Sequence, residues 1–281
     1  MRRREFVTAL PALPMLAQTA GPISRQGRLK QSVTKGVFAR GTPFEAMARE
    51  AARQGCRGFD LIGPDEWPVL KKYGLTPSMY PLGPGGTISD ALNRSENHAR
   101  LEASMRRAID ECAANAVPNL ITFSGNRRGM SDAEGADNCV AILNRVKSHA
   151  EEKGVTVCME LLNSKVDHKD YMCDHASWGV GVMQRVDSPR VKLLFDIYHV
   201  QIMDGDIVRT IRENIRWIGH FHTGGNPGRH EIDQTQELNY RFIAQSIADL
   251  GFTGFVAHEY SPAPGRDPAE SLNRAMEIFD V

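Results

Sequence analysis

Four short stretches of this chain carry an apolar run into a residue able to hold a metal ion or move a proton. VCMELLN carries Glu160 and then Asn163, LLFDIYH carries Asp196 and then His199, HFHTGG carries His222, and VAHEY carries Glu259. Glu160, Asp196, His222 and Glu259 together are three carboxylates and one imidazole. That oxygen-rich set suits one hard divalent ion, Mn2+ or Mg2+, and leaves positions for substrate oxygens. Zinc is less favoured, because the set contains no sulfur. Taken singly, a carboxylate after an apolar run is most often a helix cap or an ion-pair partner. A histidine there is most often a hydrogen-bonded rim residue. Four on successive runs are harder to dismiss, because burying a charge without a partner is costly.

The neighbours sort by alternation along a strand. In WIGHFHTGGNPGRHE, His220 and His222 share a face, with His220 one layer below. His220 either orients a ligand or fills the core. His258 points away from Glu259 and reads as structural. His199, three residues after Asp196, is placed at the start of a loop, where it meets a substrate oxygen. Arg229 offers a planar fork for a carboxylate or hydroxyls.

These residues need a scaffold that brings strand ends together. From Leu29 onward the chain repeats an apolar or β-branched run, a turn and a helical pattern. Strands are expected at 29–36, 57–61, 75–80, 119–124, 155–161, 191–196, 216–222 and 253–260. Helices are expected at 43–54, 65–73, 96–115, 132–153, 174–186, 203–214, 238–250 and 267–279. The strands are dense apolar runs, as parallel strands covered on both faces should be. Eight strand–helix units predict an α/β fold, a single-domain (β/α)8 TIM barrel over residues 29–281, with the reactive groups at the C-terminal strand ends. An open doubly wound sheet would want a glycine-rich phosphate turn after the first strand, and Thr34-Lys35-Gly36 does not supply one.

Composition excludes several classes. The 281 residues are 41% hydrophobic, with 34 basic and 34 acidic side chains. The balance offers no basic stripe for a phosphate backbone, so no nucleic-acid partner is expected. No apolar run is long enough to span a bilayer. The five cysteines form no CxxC pair, and idle, buried thiols are expected. Residues 1–20, MRRREFVTALPALPMLAQTA, place basic residues before a short apolar region and small residues. With Arg3-Arg4-Glu5-Phe6-Val7 this resembles a twin-arginine export signal. The expectation is a signal and linker over 1–28 and a periplasmic mature protein. A basic tail on a cytoplasmic protein is the alternative.

Several stretches resemble the xylose isomerase-like barrels, specifically the hydroxypyruvate isomerase branch. They are LIGPDEWPVLKKYGL (61–75), the strand bearing Glu160 and Asn163, FDIYH (195–199), GRHE (228–231), LNY (238–240) and HEY (258–260). The resemblance implies a (β/α)8 barrel with one divalent metal ion. It implies that Glu160 and Glu259 act as proton donor and acceptor, with Asp196 and His222 completing the metal site. It implies that His199 and Arg229 touch the substrate. The expected reaction interconverts a small hydroxy-keto acid and its aldehyde isomer, hydroxypyruvate and tartronate semialdehyde, through an enediolate. His222 stands where hydroxypyruvate isomerases often carry glutamine and ketose 3-epimerases carry histidine, so a longer ketose stays open as substrate. A non-catalytic carbohydrate-binding barrel is the reading from another class, and the intact ligand set argues against it. Barrels of this kind often pair into dimers or tetramers, and no residue here selects that.

Overall fold

The protein is described by a computed structural model covering residues 21–81 and 86–281. The export-signal expectation for residues 1–20 lies outside the described residues. Residues 21–28 run back along the body of the protein: the Ile23 N–H donates to the Arg53 carbonyl (2.7 Å) and the Arg28 N–H to the Val281 carbonyl (2.8 Å).

Eight parallel strands carry the fold: β1 (Lys30–Val33), β2 (Gly58–Phe59), β3 (Thr76–Pro77), β4 (Asn119–Thr122), β5 (Thr156–Glu160), β6 (Val191–Asp196), β7 (Ile218–Thr223) and β8 (Phe255–His258). Their order is β3-β2-β1-β8-β7-β6-β5-β4. The sheet's ends meet at Tyr80. Its N–H donates to the Asn119 carbonyl (2.8 Å), and its carbonyl accepts from the Ile121 N–H (3.0 Å). The sheet therefore curls onto itself as a single-domain TIM barrel. Its strands are buried along nearly their whole length, which is why they read as unbroken apolar runs.

The helices between them are α1 (Phe44–Arg53), α2 (Trp67–Lys72), α3 (His98–Ala114), α4 (Asp132–Lys153), α5 (Ala176–Val186), α6 (Ile197–Met203), α7 (Ile207–Asn214), α8 (Tyr240–Asp249) and α9 (Pro268–Ile278). Local chemistry sets their ends. Ser131 caps α4 by accepting from the Glu134 N–H (3.2 Å), and Gly154 closes it at φ 72°. Asp267 caps α9 ahead of Pro268. Alternation is broken once, between β6 and β7. Leu193 faces Ile218 and Leu194 faces His220, so Gly219 is an extra residue in the ladder.

One expectation is corrected. The helix expected at 203–214 starts only at Ile207, as α7, and a separate helix, α6, begins directly after Asp196. The chain breaks between them at Gly205 (φ 65°) and Asp206 (φ 45°), left-handed positions that end a helix. His199 therefore sits in the first turns of α6, buried, rather than at the start of a loop. The five cysteines are free and buried, as expected. No helix among the described residues is long and apolar enough to cross a membrane.

Candidate active site

The strands bring the four ligand candidates together. Glu160 ends β5, Asp196 ends β6, His222 is the penultimate residue of β7 and Glu259 follows β8. Asp196 and His222 are register partners. One ligand atom from each of the four lies within 4.8 Å of all the others. His222 Nδ1 is 2.7 Å from Glu259 Oε2, 3.2 Å from Glu160 Oε1 and 4.0 Å from Asp196 Oδ2.

The orientation of His222 comes from a residue overlooked in the sequence. Asp60 follows β2 and is fully buried; its Oδ2 holds His222 Nε2 at 2.9 Å, and its Oδ1 lies 3.3 Å from His220 Nε2. Ser78 donates a short hydrogen bond to the same Oδ1. Burial works against the charge on Asp60, but His220 and then His222 outweigh it and hold the carboxyl well below its ordinary range. With Nε2 committed to Asp60, Nδ1 faces the three carboxylates. It makes no hydrogen bond there, despite the short approach of Glu259. Burial works against a proton on His222, but Glu259, then Asp60 and Glu160, outweigh it and raise its affinity for a proton well above the ordinary value. A ring nitrogen held among three carboxylate oxygens fits a divalent cation, which would stand in place of that proton. Asp60 was legible by the rule that found the others, since RGFDL also carries an apolar run into a carboxylate. The trio Asp60, His220 and His222 is also close enough to share an ion, but its short contacts are those of an acid holding two histidines.

Asp196 serves two purposes. Oδ1 caps α6 by accepting from the Tyr198 N–H (2.9 Å) and the His199 N–H (3.2 Å), while Oδ2 faces the site. Arg229 reaches into the cluster. Its Nη2 is 2.8 Å from Asp196 Oδ2 and 2.6 Å from Glu259 Oε2, and its guanidinium lies 5.3 Å from the Tyr198 ring. Its backbone is left-handed (φ 55°) just after Gly228 (φ 94°), in the turn that aims the side chain inward.

The two glutamates differ in environment. Burial raises the Glu160 carboxyl above its ordinary range. Glu259 is buried too, but His222 and Arg229 overcome that and hold it below its ordinary range. His199 accepts at Nδ1 from the Asn163 backbone N–H (3.2 Å) and side-chain amide (2.6 Å), which places its proton on Nε2. Nε2 has no hydrogen-bond partner and lies 3.7 Å from Asp196 Oδ2. Burial keeps this imidazole neutral, lowering it to about 4. His258 is structural as expected, held between Thr223 Oγ1 and Gln31 Oε1 at 3.0 Å each.

A sequence model described as the xylose isomerase-like TIM barrel matches residues 67–280. A 2-oxo-tetronate isomerase of Cupriavidus necator is 35% identical over 227 residues, 76% of this chain and 86% of that protein. A Danio rerio protein provisionally named hydroxypyruvate isomerase is 32% identical over 139 residues. That match covers 50% of each, so the chain spans about half the length of this relative. Among solved structures, an AP endonuclease of family 2 from Brucella melitensis superposes with a TM-score of 0.77 at 25% identity, over 87% of this chain and 97% of that one.

Proposed function

The chain belongs to the xylose isomerase-like TIM-barrel family, and from that premise we propose that it is a metal-dependent isomerase of a small hydroxy-keto acid, with hydroxypyruvate and tartronate semialdehyde as the interconverted pair. The observation that carries the proposal is the convergence of Glu160, Asp196, His222 and Glu259, with ligand atoms within 4.8 Å of one another, at the end of the barrel where cleft and strand ends coincide. The names of the two isomerase relatives support the reaction class.

Glu160, Asp196, His222 and Glu259 would hold the ion, Mn2+ or Mg2+. When bound, it would supply Lewis-acid polarisation of the substrate's carbonyl and hydroxyl oxygens. The protein's own groups do the rest. Glu160, which lines the cleft beside Glu259, is one proton-transfer group. Glu259, which lines the same cleft and stays ionised, is the second proton-transfer group, so the proton moves between adjacent carbons through an enediolate. His199 Nε2–H donates to a substrate oxygen. Arg229 keeps its charge beside Asp196 and Glu259 and meets the substrate from that position.

The test is exchange. Protein supplied with Mn2+ is offered hydroxypyruvate and a panel of ketoses in D2O. Deuterium should enter the carbon next to the carbonyl of the hydroxy-keto acid, and Glu259→Gln should abolish that entry. Exchange undiminished in the variant, or none with any compound, would sink the proposal. Export is proposed from the leader alone. Activity in a periplasmic extract should disappear when Arg3 and Arg4 are both changed to Lys.

A further inference from the structure

Cations gather at the end of the barrel away from the active site. Two cavities open there, where the strands begin, of about 500 and 630 Å3, and they share a wall of Lys30, Pro118 and Phe255. Arg190, Lys192 and Arg216 line the first, and Arg28 and Arg57 the second. Among the described residues lining either cavity there is no aspartate or glutamate. The chain carries 34 basic and 34 acidic side chains, so this is a segregation of charge and not an overall excess.

Contacts within the walls hold three of these side chains in place. Lys30 Nζ lies 5.9 Å from the centre of the Phe255 ring, on the shared wall. Arg190 Nη1 donates to Thr156 Oγ1 (3.3 Å), and Lys192 Nζ donates to the Arg216 carbonyl. Thr156 and Arg216 both line the first cavity. Among the described residues, Lys30, Arg57, Arg190, Lys192 and Arg216 form no ion pair. Arg28 reaches an acid, Asp249 (2.8 Å), which lines neither cavity. Lys192 is half-buried. Burial, Arg216 and Arg190 lower its affinity for a proton against the opposing pull of Cys158 and the exposed Asp187. Crowded, partly desolvated cations with no acid among them lack a counter-charge.

Helix ends do not account for them. The helices end on this side of the barrel, and a cation there offsets the helix dipole, but the effect falls off within the last turn. Those turns have their own cations, Arg53 on α1, Arg185 on α5 and Arg212 on α7. The cavity residues lie beyond, in the connections before β1, β2, β6 and β7 or at the first residues of β1 and β6.

We propose that the first cavity, with Lys30, Arg190, Lys192 and Arg216, binds a small polyanion of the oligophosphate class. The site is separate from the active site and does not rest on the isomerase reading. Its volume is that of a small-molecule site. Guanidinium forks pair with phosphate oxygens two at a time, and linked phosphates carry enough charge to meet several cations at once.

Binding of tripolyphosphate and of orthophosphate is measured by calorimetry on the full chain, in buffer without divalent ions, which tripolyphosphate would chelate. Tripolyphosphate should bind more tightly than orthophosphate by about tenfold or more. Lys192→Met keeps the aliphatic stem and should weaken tripolyphosphate by about tenfold or more, the loss expected for a charged hydrogen bond. Lys30→Met should weaken it as well, so the result does not hang on the folding of one variant. Lys35→Met, at the opposite end of the barrel, should leave it unchanged. Sedimentation with phosphatidylglycerol vesicles separates a lipid headgroup from a free phosphate compound, and should be no greater than with phosphatidylcholine. Overturning results are no tripolyphosphate binding by the wild type, equal affinity in Lys30→Met, Lys192→Met and the wild type, orthophosphate bound as tightly as tripolyphosphate, or capture by phosphatidylglycerol vesicles alone, which would make this face a membrane surface.

Discussion

A histidine has two ring nitrogens, and at β7 Asp60 decides which one faces the carboxylates. It takes Nε2 at 2.9 Å and leaves Nδ1 to the cluster. Asp60→Asn can donate to His222 Nε2 as well as accept from it, so the tautomer is no longer imposed. Mn2+ affinity measured by calorimetry should fall by about 10- to 100-fold, while unchanged affinity would count against this role. Asp196 divides its work between its oxygens, which makes its two functions separable. Asp196→Asn keeps a cap for α6 and loses the ligand charge, so Mn2+ binding should fail with little change in stability. Asp196→Ala should lose the cap as well, at a further cost of about 1 kcal/mol in denaturant unfolding of the metal-free protein. Equal stabilities of the two variants would refute the shared duty.

At the scale of the element, Gly219 sets the facing of β7. It is the unpaired residue of the bulge, and the register that follows pairs His222 with Asp196. A Cβ at Gly219 would lie 2.9 Å from Lys192 Cβ and 3.1 Å from Cys158 Sγ, so strands β6 and β5 leave it no room. Gly219→Ala should destabilise by on the order of 1–3 kcal/mol in denaturant unfolding, and should weaken Mn2+ binding because His222 is carried on the same strand. Retention of both stability and affinity would show that the bulge does not position the site. The helix α6 belongs to this scale too. Its start at Ile197 buries His199 and fixes the ring against Asn163, so a residue expected in a loop is held rigidly.

For the whole molecule, the candidate metal site draws its residues from the ends of β5, β6, β7 and β8, so occupancy should be felt in global stability. Mn2+ at about a hundred times its dissociation constant adds about 2.7 kcal/mol. The melting temperature should rise by roughly 5–10 °C for a chain of this size, and chelation should reverse it. No shift in wild type would argue against a site spanning these strands. Acidification acts through His258, which is fully buried and held neutral, its affinity for a proton lowered by burial from 6.5 to about 3. The unfolded chain takes up that proton near 6.5 and the folded chain does not. The contribution of His258 is therefore complete above 6.5 and is lost as pH falls from there toward 3, at up to about 1.4 kcal/mol per pH unit. His258→Gln should flatten that part of the stability–pH curve, and an unaltered slope would refute the assignment.

The order of elements was legible in the sequence because burial on both faces writes itself into every parallel strand. α4 and β6 were expected at 132–153 and 191–196, and that is where they lie. The same rule, an apolar run ending on a ligand, marked Glu160, Asp196, His222 and Glu259, since the barrel sends strand ends to one face. What pattern could not reach was anything set by residues distant in the chain. Asp60 meets His222 across 162 positions, and Arg229 meets Asp196 across 33. Periodicity is a property of neighbours along the chain, whereas these contacts exist only once the sheet has closed. The sequence alone determined the barrel and its candidate ligands. Only the tertiary structure decided which nitrogen of His222 faces them and that Arg229 lies within the charged cluster.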